Sequence, residues 1–143
     1  MSDDQLILRI ANDVAELSRA AEAVDLYCEG NAIPSDIAFK INVALEELLM
    51  NTISYGFTDS NPHEIVVTIA KDEDAVAIEI DDDGQAFDPL QAAAPDLDAP
   101  IEDRRIGGLG IHFVKTMMDT VEYRRADGHN HVTLHKRLVS DPG

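Results

Sequence analysis

The sequence predicts an α+β fold of two layers, with helices bunched on one face of a sheet built mostly from hairpins. Two observations predict it. Strand-like segments come as neighbours joined by polar turns, at residues 71–74 and around Asp127-Gly128; an Asp-Gly step between such segments is a strong hairpin signal. Helical periodicities instead follow one another, one opening at Asn12 or Asp13 and the next at Pro34. At 143 residues the chain is expected to form one domain, residues 1–143, with enough length to bury a core.

Taken in order, residues 5–10 are aliphatic and read as a first strand. Asp13 with Glu16 three residues on fits a capping box. Val14, Leu17, Ala21 and Val24 then recur at helical spacing, and Gly30-Asn31 stops the run. Pro34-Ser35-Asp36 starts a second helix. Its buried stripe is Ile37, Ile41, Ala44, Leu45, Leu48 and Thr52, and Lys40, Ala44, Glu47 and Asn51 form the stripe beside it. Gly56 and Asn61-Pro62 end it. Residues 63–70 are rich in Ile and Val and read as a strand. In the next, Val76, Ile78 and Ile80 alternate with Ala77, Glu79 and Asp81, the pattern of a half-buried strand. Residues 88–107 carry Pro89, Pro95 and Pro100 in an Ala- and Asp-rich setting, too long for a plain connection. A third helix follows Gly110, with Ile111, Val114, Met117 and Met118 apolar. Residues 120–125 and 132–138 close the chain as two strands.

Composition narrows the function. A net charge of −17 argues against nucleic acid as a direct partner, because phosphate backbones need Lys and Arg to neutralise them. It disfavours anionic membranes for the same reason. No apolar run approaches the ~20 residues of a membrane span, and the acidic start, Met1-Ser2-Asp3-Asp4, is unlike a secretion signal. A cytoplasmic address is expected. Cys28 is the single cysteine, so no internal disulfide forms. The five histidines, at positions 63, 112, 129, 131 and 135, show no metal-ligand spacing, and His129 and His131 are expected to face solvent on a hairpin.

Three stretches carry chemistry. In the second helix, Glu47 and Asn51 lie four apart and so point the same way, one turn apart. A carboxylate can take a proton from a nucleophile, and a carboxamide oxygen can ligate Mg²⁺. The alternatives are a solvated Glu46-Glu47 face and an Asn near a helix end. Asp81-Asp82-Asp83-Gly84 ends the third strand. A carboxylate there can accept from an exocyclic amine such as adenine's N6, and Gly84 lets backbone approach a flat base. The alternative is a solvated acidic turn. A Ca²⁺ loop is excluded, since Ala86 stands where the sixth position requires glycine. Gly107-Gly108-Leu109-Gly110 precedes the third helix, where free N–H groups at the positive helix end suit phosphate; a simple turn into a helix remains open. The run lacks the Gly-Lys-Ser/Thr of a Walker loop, and Phe113 replaces the third glycine of a dinucleotide fingerprint. In this order, the three suggest an ATP site.

Together they resemble the boxes of the GHKL, or histidine-kinase-like, ATPase superfamily, and more closely the bacterial anti-sigma factor serine/threonine kinases. The first box matches Glu47-Leu48-Leu49-Met50-Asn51 with Ile53, Tyr55, Gly56 and Phe57. The second matches Asp82-Asp83-Gly84 with Phe87-Asp88, and the third Gly107-Gly108-Leu109-Gly110-Ile111. Asp119, Tyr123, Gly128, Asn130, Val132, Leu134 and Lys136 also fit the family pattern. The resemblance implies a Bergerat-type fold, a mixed, mostly antiparallel sheet with helices on one face, and a lid over residues 89–106. It implies Mg²⁺ on Asn51, the adenine amine on Asp82, the base along Gly84, and phosphate at Gly107, Gly108, Leu109 and Gly110. Thr133 would reach the adenine through water, Arg104 or Arg105 would meet the γ-phosphate or a partner, and Glu47 would be the general base. The implied activity is an ATP- and Mg²⁺-dependent serine kinase acting on an anti-anti-sigma (STAS-type) protein and sequestering a sigma factor, as a homodimer. The alternative is an ATP-gated binding switch without significant kinase activity. Ala86 departs from the wider superfamily, which often has a second glycine there, and the strong acidity is not explained by the resemblance.

Overall fold

The computed structural model describes residues 5–57, 61–86, 88 and 113–138. Strand β1 is Gln5–Ala11, β2 Glu64–Lys71, β3 Ala75–Asp82, β4 Thr120–Ala126 and β5 His129–Arg137; helix α1 is Leu17–Gly30 and α2 Ser35–Tyr55. The five strands form one sheet in the order β1-β2-β3-β5-β4, and every pairing is antiparallel. The α+β reading therefore holds, with no parallel pair among the described strands.

Strand alternation decides what the sheet offers to each side. Along β3, Val76, Ile78, Ile80 and Asp82 are buried and the residues between them are half-buried. Register carries that alternation across the sheet: Ile78 faces Ile69 on β2 and Leu134 on β5, while Ile80 faces Val67 and Val132. These side chains join Ile41, Leu48 and Leu49 of α2 and Val24 of α1 in one core, all but Val132 almost completely removed from water. Each such aliphatic burial is worth about 1.5–3 kcal/mol, which is what holds the helices to this face. The buried stripe of α2 is the predicted one: Ile37, Ile41, Ala44, Leu45, Leu48 and Thr52 are all buried.

The stripe of α1 differs from expectation only at its first position: Val24 is buried, Leu17 packs against the core and Ala21 is half-buried, as predicted, but Val14 is not. Its buried residues are Ala20, Val24, Tyr27 and Cys28, and Val14 is 49% exposed. The cause is a 3₁₀ turn at Val14–Glu16 ahead of the helix. Three residues per turn, where an α-helix has 3.6, take Val14 off the line of the α1 face that follows. The capping pair is real but reaches differently: Asp13 accepts from the Ala15 N–H at 2.9 Å, and Glu16 reaches back to the Ala11 N–H at 3.0 Å. Arg19 also bonds Glu16, and with the Ala11 N–H it holds that carboxyl down at about 2. At the other end of the chain, Asp127 and Gly128 have φ of 54° and 79°. Two consecutive positive φ values are the signature of a type I′ hairpin turn, as the Asp-Gly step predicted.

Candidate nucleotide site

Glu47 and Asn51 sit on the flank of α2 next to its core stripe. Asn51 is buried, at 6% exposure, and donates from Nδ2 to Glu47 Oε2 at 3.1 Å. That bond occupies the amide's donor side and leaves its carbonyl oxygen for another partner. A hard oxygen donor of this kind suits Mg²⁺. Burial raises the Glu47 carboxyl above the usual carboxylate range; the Asn51 bond opposes the rise, and the neighbouring Glu46 charge adds to it. A carboxylate raised in this way is a better proton acceptor near neutrality.

Asp82 closes β3 on the core-facing side and is 4% exposed. Its Oδ1 accepts from the Gly84 N–H at 2.9 Å and from Asn130 Nδ2 at 3.0 Å. Both donors meet the same oxygen, so Oδ2 is left for a donor from outside this network. Burial raises the Asp82 carboxyl; the bonds from Asn130 and Gly84 oppose it, and the Asp81 and Asp83 charges reinforce it. The brace extends further. Asn130 Nδ2 also donates to the Gln85 carbonyl at 2.8 Å, and its Oδ1 accepts from the Tyr123 hydroxyl at 2.6 Å and Arg125 Nη1 at 3.1 Å. Arg125 Nη1 donates as well to the Gly84 carbonyl at 2.8 Å.

This turn is stitched to the end of α2. The Gln85 N–H donates to the Gly56 carbonyl at 2.8 Å, and Gln85 Nε2 donates to the Tyr55 carbonyl at 2.8 Å. A Cβ on Gly84 would lie 2.2 Å from that same Gly56 oxygen. Glycine is therefore needed at position 84 for two backbones to meet. Gly84→Ala should lower stability by about 1–3 kcal/mol, the usual cost of forced overpacking. Urea unfolding checks this; an unchanged midpoint would show that the turn shifts without cost.

The structure thus ties Asp82 and Gly84 to the helix that carries Glu47 and Asn51. It separates Thr133 from them. Thr133 pairs with Glu79 of β3 and Glu122 of β4, while Asp82 pairs with Asn130. Residues opposite one another share a face and alternate along the strand. Thr133 consequently lies on the outer face, away from the helices, and the expectation that it reaches the adenine is withdrawn. Its neighbours Asn130 and Val132 are two apart and both buried, so they lie on the side that Asp82 occupies. Gly107, Gly108, Leu109, Gly110, Arg104, Arg105 and the lid at 89–106 lie outside the described residues, as does Phe87.

Sequence reasoning assigned no role to Asn130, Arg125, Tyr123 or Gln85, which brace Asp82 and its turn. A signal was present for one of them. Asn130 occupies the same alternation as Val132 and Leu134, and a polar residue on an apolar face calls for a buried partner.

Comparison with known proteins places this arrangement. A model of the histidine kinase-like ATPase domain matches residues 10–136. The serine/threonine-protein kinase BtrW of Bordetella bronchiseptica is 35% identical over 98 residues, which cover 68% of this chain and 69% of BtrW. The serine-protein kinase RsbW of Listeria monocytogenes is 30% identical over 92 residues, covering 62% of this chain and 59% of RsbW. A crystal structure of RsbU and RsbW domains from Mycobacterium tuberculosis superposes with a TM-score of 0.66 over 94% of this chain and 32% of that one. Its 13% identity makes it a likeness of fold. With the family model spanning most of its length, this chain belongs to the histidine kinase-like ATPase family, and within it to the serine/threonine-protein kinases that its three motifs resemble.

Proposed function

We propose that this chain, as a single domain over residues 1–143, transfers the γ-phosphoryl group of Mg·ATP to a serine on a small partner protein of the anti-anti-sigma (STAS) type. The supporting observation is the bonded pair of half-buried Glu47 and buried Asn51 on α2, the helix whose end is fastened to the turn after Asp82. Phosphoryl transfer asks the protein mainly for positioning and charge stabilisation. Glu47 accepts the serine hydroxyl proton as the serine oxygen bonds to the γ-phosphorus and the bond to the bridging oxygen of ADP breaks. Asn51 offers its carbonyl oxygen to the magnesium ion, which neutralises phosphate charge. Asp82 accepts from the adenine amine, and Gly84 lets the base lie against the turn. The segment 89–106 serves as lid, the glycines at 107, 108 and 110 with Leu109 cradle phosphate, and Arg104 or Arg105 meets the γ-phosphate or the partner.

On this reading the ATP-loaded protein is a cytoplasmic homodimer that also holds a sigma factor, and phosphorylation of the rival partner decides which is held. No described helix is long and apolar enough to cross a membrane. Titration with a non-hydrolysable ATP analogue tests the nucleotide half of the proposal. Saturable binding should appear with Mg²⁺ and weaken strongly when the ion is chelated. Equal binding in both conditions would remove Asn51 from its role, and no binding would end the proposal.

A further inference from the structure

The outer face of the sheet carries a cluster that the nucleotide site does not use. Asp81 precedes the buried Asp82 and points the opposite way; it lies across from His131 on β5, and Glu79 is two residues back on the same face of β3. One ligand atom from each of Glu79, Asp81 and His131 lies within 4.8 Å of the other two, and all three residues are half-buried. His131 Nδ1 is 3.2 Å from Asp81 Oδ2, yet this buried nitrogen has no hydrogen-bond partner among the described residues. His129 Nδ1 meets the other oxygen of Asp81 at 2.7 Å.

Two carboxylates and an imidazole nitrogen on facing strands make a mixed O,O,N donor set. The contact between His131 Nδ1 and Asp81 Oδ2 is too bent to be a hydrogen bond, so the ring nitrogen stands beside that oxygen with its own bonding direction unfilled among the described residues. A metal ion would bond both. Tetrahedral zinc sites with bonds near 2.0–2.2 Å need their donors roughly 3.3–3.6 Å apart, so only small side-chain rotations about fixed strands are required. The imidazole selects for zinc-like ions over Mg²⁺ or Ca²⁺, which prefer oxygen alone. The chain's net charge of −17 raises the local concentration of any cation. His129 holds the second oxygen of Asp81, as an outer partner of a metal-binding carboxylate does.

We propose that Glu79, Asp81 and His131 bind one zinc-type dication on the outer face of the sheet, with His129 orienting Asp81. The site stands apart from the nucleotide reading, since it lies on the other side of β3 from Asp82. The test uses the full chain, stripped of metal and without nucleotide, titrated with Zn²⁺ alone against a chromophoric chelator. One ion should bind per chain at this site, and millimolar Mg²⁺ should not displace it. His131→Ala and Asp81→Asn should each weaken binding at least tenfold, since even outer partners of metal ligands cost about 10–100-fold. His129→Ala should cost less than either. His135→Ala, on the same strand but bonded to Thr120, should change nothing. Thermal melts guard against misfolding: Zn²⁺ should raise the midpoint of the wild type and His135→Ala, and leave folded His131→Ala where it was. Absence of Zn²⁺ binding, undiminished binding in His131→Ala and Asp81→Asn, or displacement by Mg²⁺ would each overturn the assignment.

Discussion

Glu47→Ala should slow phosphoryl transfer to a partner serine by about 10²–10⁴-fold, the range that a positioned general base supplies, while ATP affinity stays nearly unchanged. The asymmetry follows from placement. Glu47 is the acid of a helix pair whose other member, Asn51, offers the magnesium ligand, so removing the acid takes away proton acceptance and leaves the ligand. Transfer of label from γ-³²P ATP, with a calorimetric titration of the same variant, measures both. Persistence of transfer would show that Glu47 is not the base. A wild-type chain that binds ATP and holds a partner yet transfers nothing would instead support the gated switch. The pH profile is a second readout. Glu47 is raised by burial, so the transfer rate should fall with acidification at a higher pH than for an ordinary glutamate. Glu47→Gln should abolish that limb together with the activity.

Asp82→Asn should weaken ATP binding by about 10–100-fold. A hydrogen bond to a charged acceptor contributes about 1.5–3 kcal/mol, and each 1.4 kcal/mol is a factor of ten. The substitution keeps the size of the side chain but can turn an amide N–H toward the adenine amine, donor against donor. The same change should stabilise the chain without nucleotide at neutral pH. Asp82 is raised in the folded state, chiefly by burial. A raised acid binds its proton more tightly folded than unfolded, so its contribution is fully present below the unfolded value and is lost as pH rises through the folded one. The melting midpoint of Asp82→Asn relative to wild type should therefore increase between about pH 4 and neutrality. Tighter ATP binding by the variant would refute the adenine contact. A midpoint difference that does not vary with pH would refute the burial argument.

Legibility varied by element for identifiable reasons. The second helix was plain because six apolar or small positions repeat at one helical spacing over 16 residues, from Ile37 to Thr52. β3 was plain because four buried residues alternate with four half-buried ones. The first helix kept the predicted phase at Leu17, Ala21 and Val24 and departed only at Val14, which lies in the 3₁₀ turn Val14–Glu16 ahead of it; three residues of altered pitch leave little mark on a periodicity. Glu47 and Asn51 could be paired from spacing alone, since a helix brings residues four apart together. The brace on Asp82 could not. Asn130 stands 48 residues away, and which face it uses depends on strand register.

What the chain determined locally was therefore the helical pairing of Glu47 with Asn51, the alternation that buries Asp82, and the tight turn at Asp127-Gly128. Only tertiary structure decided that Thr133 faces away from Asp82, that Gly84 must let the Gly56 carbonyl through, and that His131 meets Asp81 and Glu79. Periodicity is a property of one segment, and it survives in the sequence. The meeting of two segments is set by the register of a whole ladder, where a slip of one residue would turn every side chain to the other face.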